Sequence, residues 1–165
     1  MDSVVKKIGL LFGIVGGASF VVNYLIIWQN EIFGNALYGT ILRLLPLLFG
    51  IAAQITSKIK LKNIITFKQA VIPFVICTAI MLLAELIMNY LIYVQIDPGA
   101  QEKIAELYLK NKELMEAQGV KTMDSMTRTI SLKSLSSVAA LNFLIYMIPG
   151  LIVAFVMRKK PAHTA

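Results

Sequence analysis

Apolar residues dominate four long runs along the chain, at residues 8–28, 36–55, 71–94 and 138–157. A helix that crosses the hydrocarbon layer of a membrane needs about twenty mostly apolar residues, and every run reaches this length. The longest connection between the runs, residues 95–137, is more polar and has helical periodicity. The pattern therefore predicts one all-α domain over residues 1–165, an integral membrane four-helix bundle with a helical segment outside the bilayer.

The first apolar run raises the question of a signal peptide, since Lys6 and Lys7 precede it. A signal peptide has an apolar region of roughly 7–15 residues. Here the apolar stretch is longer and continues to Trp28. We therefore expect the first run to be an uncleaved membrane anchor.

The basic residues predict how the bundle is oriented. If the N-terminus is cytoplasmic, the cytoplasmic segments hold nine basic residues and one acidic residue, whereas the first outer loop holds only Glu31 as a charged residue. The outer segment, residues 95–137, carries six basic and six acidic residues. An excess of Lys and Arg marks the cytoplasmic side of a membrane protein, so we expect both termini in the cytoplasm. This distribution explains the net charge of +7 without a nucleic acid as partner.

The composition fits a membrane protein and narrows the possible chemistry. Hydrophobic residues make up 58% of the chain, charged residues make up 15%, and the mean hydropathy is +0.75. Cys77 is the single cysteine, and His163 is the single histidine. These two residues supply neither a disulfide framework nor a usual set of zinc ligands. We expect no metal, no cofactor and no enzymatic activity.

Polar side chains within the apolar runs are the first candidates for a functional site, because ionisable groups inside a membrane are costly and often functional. Arg43 in the second run and Glu85 in the third are predicted at similar depth, roughly 10–14 Å below the outer boundary. Opposite charges at matching depth can form a pair. The same half of the bundle holds Asn23, Asn89 and Asn142. We interpret these residues either as an outward-opening polar pocket or as a hydrogen-bond network that fixes the helix register.

Glycines recur at four-residue intervals in the first apolar run, at Gly9, Gly13 and Gly17. Residues at this spacing lie on one face of a helix, and a ridge of small residues lets another helix approach closely. The ridge is typical of packing within the bundle. A seam between two copies of the chain is the alternative.

The outer segment begins with Asp97 and Pro98, which are favoured at the start of a helix. Apolar residues then recur at three- and four-residue spacing and form one stripe. We expect this stripe to lie on the outer ends of the spanning helices or in the lipid headgroup layer. A docking surface for another protein is the alternative. The stripe consists of Ile104, Leu107, Tyr108, Leu114 and Met115.

The order of these features resembles a known family. Ile65-Thr66-Phe67-Lys68-Gln69-Ala70 leads into the third run, Ile96-Asp97-Pro98-Gly99 leaves it, and Arg158-Lys159-Lys160 follows the fourth. In this arrangement the chain resembles the small four-helix membrane proteins of Bacteroidota known as the domain of unknown function 4199 family. The resemblance covers nearly the whole chain. It implies a bacterial inner-membrane location and no particular activity.

Two functions remain open from the sequence. The first is a non-enzymatic inner-membrane protein with a structural or interaction role, such as that of an accessory subunit, whose outer segment recognises a protein partner or the membrane surface. The second is a small transporter or channel built around Arg43 and Glu85. Four helices enclose little volume, so this second function would require several copies of the chain. The expected partners are the lipid bilayer and either another protein or further copies of this chain.

Overall fold

The computed structural model describes residues 2–32, 36–117 and 130–158, with the backbone alone at residues 2, 36, 108 and 110–117. Within these ranges the chain forms five α-helices and one π-helical turn. The helices are α1 Asp2–Gln29, α2 Ala36–Lys60, α3 Phe67–Tyr90, α4 Gly99–Ala117 and α5 Leu132–Met157. The π-helical turn, Leu91–Ile96, continues α3.

Four of these helices are long and apolar enough to cross a membrane: α1, α2, α3 with its π-helical turn, and α5. The prediction of an all-α chain with four long apolar helices is confirmed. The helices are longer than the apolar runs and include residues that flank each run. Of the predicted outer segment, residues 118–129 lie outside the described residues.

Helix α5 begins at Leu132, whereas the apolar run predicted a start at residue 138. Ser131 and Ser134 form a capping box, in which each side chain bonds the backbone N–H of the other at 3.3 and 2.9 Å. This arrangement satisfies backbone donors that a helix leaves free at its first turn. Residues 132–137 therefore belong to α5 and not to the outer segment. A similar box, formed by Thr66 and Gln69, begins α3.

Helix α3 occupies the middle of the bundle and packs against α1, α2 and α5. Its side chains Phe74, Cys77 and Met81 are fully buried. α5 is the most peripheral of the four apolar helices, since only 11% of its most apolar stretch is buried, against 39% for α3. In a membrane the remaining apolar surface of α5 faces lipid or another protein.

The predicted glycine ridge lies against α3. A Cβ atom at Gly9 would be 2.8 Å from the Pro73 Cα, and one at Gly13 would be 3.2 Å from the Cys77 Cα. Gly17 faces Ala84 with ordinary van der Waals spacing of 3.4 Å. The ridge therefore contributes to packing within the bundle, where a side chain would separate the two helices.

These contacts also show that α1 and α3 run parallel, since the order from Gly9 to Gly17 follows the order from Pro73 to Ala84. The other helices contact the same stretch of α3, where the Phe74 ring leaves no room for a Cβ at Gly50 of α2 or Gly150 of α5. We call this part of the bundle the glycine half. The opposite part, where α4 begins, is called the polar half.

Candidate functional site

A hydrogen-bonded network joins α1 and α3 in the polar half. The Tyr24 hydroxyl donates to Glu85 Oε1 at 3.3 Å, and Asn89 Nδ2 donates to the Tyr24 hydroxyl at 3.0 Å. Asn89 Nδ2 also donates to the Glu85 carbonyl oxygen at 3.0 Å. Tyr24 is buried, whereas Glu85 and Asn89 are half-buried. The network therefore supplies partners to one carboxylate oxygen and to a buried phenol that would otherwise be unsatisfied.

Arg43 forms no ion pair with Glu85. The two charges interact through space, but no nitrogen of Arg43 lies within 4.0 Å of a Glu85 carboxylate oxygen, which is the limit for an ion pair. Across the described residues, the Arg43 guanidinium donates no hydrogen bond, and its side chain is exposed on the bundle surface. Its charge thus has no hydrogen-bond or ion-pair partner among the residues that the structure describes.

Helix geometry explains why the expected pair is not formed. Arg43 lies seven residues after Ala36 and Glu85 lies eleven residues before Ile96. At 1.5 Å per residue these are about 10 Å and about 16 Å from the α4 end. Moreover, helical side chains tilt toward the N-terminus of their own helix. Since α2 begins at the α4 end and α3 begins at the opposite end, the two side chains tilt apart.

Tyr146 of α5 adds a fourth helix to this region. Its hydroxyl donates to the Arg43 carbonyl oxygen at 2.7 Å, and the side chain lies near both charges. We refer to Tyr24, Arg43, Glu85, Asn89 and Tyr146 as the charge cluster. Sequence reasoning missed the two tyrosines, because their hydroxyls bond residues of other helices that lie far away along the chain.

The two other predicted polar residues stand outside the network. Asn23 Nδ2 donates to the Ser19 carbonyl oxygen of its own helix at 2.8 Å. The half-buried Asn142 side chain makes no hydrogen bond to any residue that the structure describes. The five predicted residues therefore divide into a bonded pair (Glu85 and Asn89), an exposed charge (Arg43) and two separate asparagines.

The first turn of α4 is attached to the bundle through Asp97. One carboxylate oxygen accepts from the Ala100 backbone N–H at 3.1 Å, as expected for a residue that caps a helix. The other oxygen accepts from Trp28 Nε1 of α1 at 3.2 Å. A single side chain thus starts α4 and joins it to the end of α1.

Two further side chains secure the same turn. Gln101 Nε2 donates to the Tyr93 carbonyl oxygen at 2.6 Å, while its Oε1 accepts from the Ile130 backbone N–H at 3.1 Å. Lys103 Nζ lies 2.6 Å from Glu31 Oε1. The hydrogen bond to Glu31 raises the pKa of Lys103, because it favours the charged ammonium group. Asp97, Gln101 and Lys103 together form what we call the α4 base.

The predicted apolar stripe leaves the bundle soon after this base. Ile104 packs against the core, whereas the next stripe position, Leu107, is 37% exposed. Leu109, which the sequence analysis did not assign to the stripe, is 49% exposed. The side chains of Tyr108, Leu114 and Met115 lie outside the described residues. Beyond Ile104, the described side chains of α4 therefore remain accessible.

A family model described as "Protein of unknown function (DUF4199)" matches residues 7–159, nearly the whole chain. The chain belongs to this family. No curated protein and no solved structure matches the chain. The family assignment confirms the resemblance seen in the sequence and implies no particular activity.

Proposed function

We propose that this protein is a non-enzymatic, multi-pass protein of the bacterial inner membrane that presents α4 to a protein partner on the extracytoplasmic side. The observation behind this proposal is that α4 is attached to the bundle through its base while Leu107 and Leu109 remain accessible.

The α4 base is what distinguishes this helix from a flexible loop. The base is bonded at three points: it accepts from Trp28 of α1, and it donates to the carbonyl oxygen of Tyr93 in the π-helical turn and to Glu31 in the loop after α1. Attachment at several points fixes the direction in which α4 leaves the bundle. A preformed recognition helix loses less conformational entropy on binding than a disordered segment does, so this attachment favours recognition.

The two exposed leucines favour a partner that contacts more than one side of α4. Leu107 and Leu109 are two residues apart, which places them about 200° apart around the helix axis. A single exposed leucine is common on protein surfaces and needs no explanation. Two on nearly opposite sides mean that the bundle surface alone does not cover this part of α4.

Site-specific photo-cross-linking in intact cells tests the proposal. A photoreactive benzoylphenylalanine replaces Leu107 or Leu109, and in a control it replaces Leu144, which is 64% exposed on the membrane-spanning α5. We expect one discrete protein adduct from positions 107 and 109 and none from 144. Asp97→Ala should reduce that adduct, because it releases α4 from Trp28.

Two results would contradict the proposal. One is the absence of a protein adduct at both α4 positions in a correctly inserted protein. The other is an adduct that Asp97→Ala leaves unchanged, since the direction of α4 would then be irrelevant to binding.

A further inference from the structure

The charge cluster contains two charges whose bonding capacity is incompletely used. Glu85 Oε1 accepts from Tyr24, but the second carboxylate oxygen has no hydrogen bond to a described residue. The Arg43 guanidinium likewise has none. Both residues lie within spanning helices, where charges without a partner are costly. An additional molecule that supplies the missing partners would lower this cost.

The signs of the charges indicate what kind of molecule fits. A simple cation at Glu85 would be repelled by Arg43, and a simple anion at Arg43 would be repelled by Glu85. A molecule that carries one positive and one negative group satisfies both residues and leaves the cluster neutral. Arg43 and Glu85 do not form a direct ion pair, so each charge can still contact the opposite group of such a molecule.

The free carboxylate oxygen of Glu85 favours an ammonium group. The Tyr24 hydroxyl donates to Oε1 at 3.3 Å, so the other oxygen is available to accept from a ligand. An ammonium group carries three N–H donors and the charge opposite to that of a carboxylate. Arg43 offers several N–H donors, which suit the oxygens of a carboxylate or phosphate.

We propose that the charge cluster binds a small zwitterion, whose ammonium group contacts Glu85 and whose carboxylate or phosphate group contacts Arg43. Arg43 is the more exposed residue and lies nearer the α4 end, so the anionic group of the ligand lies toward that end. The same chemistry occurs in a free amino acid or phosphoethanolamine and in the headgroup of phosphatidylethanolamine. This binding does not depend on the partner proposed for α4.

Binding can be measured on the full-length protein in nanodiscs of phosphatidylglycerol, a lipid without an ammonium group. Trp28 is the only tryptophan and lies one helical turn from Tyr24, so its fluorescence reports on the cluster. Glycine and phosphoethanolamine are titrated separately, with methylammonium and acetate as singly charged controls. A second set of nanodiscs containing phosphatidylethanolamine tests the lipid source through the melting temperature.

We expect saturable binding of a zwitterion that weakens by about tenfold or more in Glu85→Gln and in Arg43→Gln, the loss typical of one hydrogen bond to a charged group. Tyr90→Phe, a tyrosine that bonds Gln95 outside the cluster, should bind like the wild type. If Glu85→Gln fails to fold, Tyr24→Phe gives a milder weakening. A rise in melting temperature in phosphatidylethanolamine alone, abolished by Arg43→Gln, assigns the ligand to the lipid.

The proposal is overturned if neither free zwitterion nor phosphatidylethanolamine has an effect. It is equally overturned if methylammonium or acetate binds as tightly as the zwitterions, or if binding is unchanged in both Glu85→Gln and Arg43→Gln.

Discussion

The two halves of the bundle are held together in different ways. In the glycine half, α1 approaches the backbone of α3 so closely that a Cβ at Gly9 would be 2.8 Å from the Pro73 Cα. In the polar half, the side chains of Tyr24 and Tyr146 connect the helices by hydrogen bonds. The glycine half therefore depends on the absence of side chains at its glycines, and the polar half depends on the hydrogen bonds that its side chains form.

This difference indicates where the protein can change without loss of the fold. Close backbone packing tolerates almost no added volume, because the neighbouring atoms have nowhere to move. Hydrogen bonds between membrane helices are individually weak, averaging about 0.6 kcal/mol. We infer that the glycine half determines the fold and that the polar half can accommodate binding.

The largest effect is expected for Gly150→Leu in the glycine half. The added side chain would overlap the Phe74 ring, and the ring has little room to move away, because a Cβ atom at Gly50 would already be 2.6 Å from its other edge. Overpacking a filled core costs about 1–3 kcal/mol or more, so we expect loss of most of the folded protein. The yield of monodisperse protein in mild detergent and its melting temperature measure this effect.

Gly39→Leu is the matched control for that change. It makes the same substitution within a helix, but a Cβ at Gly39 has no atom within 4 Å. Both substitutions raise helix propensity by a similar amount, so the difference between them reports packing alone. Equal melting temperatures for the two variants would refute the idea that close packing in the glycine half determines the fold.

A smaller effect is expected for Tyr24→Phe in the polar half. The change removes the hydroxyl that donates to Glu85 and accepts from Asn89, while the ring that fills the core remains. The expected cost is about 0.6 kcal/mol, with about 1.7 as an upper value for such bonds. Thermal unfolding should show a small decrease in melting temperature for this variant.

Tyr90→Phe provides the comparison, since its hydroxyl accepts from Gln95 at an exposed site. We expect a smaller change than for Tyr24→Phe. If Tyr24→Phe destabilised the protein as strongly as Gly150→Leu, the polar half would determine the fold as much as the glycine half does.

The main helices could be predicted from the sequence because a membrane imposes a length of about twenty apolar residues. The glycine ridge was visible for a similar reason, since Gly9, Gly13 and Gly17 repeat with the helical period. The start of α5 could not be predicted in this way. Its first turn is polar and begins at the Ser131 cap, so hydropathy places the boundary at residue 138, six residues late.

The candidate site was only partly predictable. Sequence position gives the depth of an α-carbon, and the charges of Arg43 and Glu85, which were predicted at similar depth, interact through space. It does not give the length that the π-helical turn Leu91–Ile96 adds to α3, nor the opposite tilt of side chains on antiparallel helices. Tyr24 and Tyr146 were missed because their hydroxyls find partners 61 and 103 residues away.

The smallest effect is expected at the α4 base, where Lys103 and Glu31 form an exposed pair. Their side chains are 52% and 66% exposed, so water and salt screen the interaction. The pKa of Lys103 is higher in the folded protein than in the unfolded chain. The contribution of the pair is therefore fully present below about pH 10.4, the ordinary lysine pKa, and is lost as the pH rises through the higher folded value.

A spin label at Leu109→Cys can detect this loss, because the native Cys77 is buried and should react poorly. We expect the mobility of the label to increase in alkaline solution as α4 is partly released. In Lys103→Gln the label should already be more mobile and lack this step, whereas Lys133→Gln on α5 should retain it. Since Asp97 and Gln101 still hold the base, the step should be small. A full release of α4 by Lys103→Gln would mean that the exposed pair, and not the Asp97 contact with Trp28, fixes the helix.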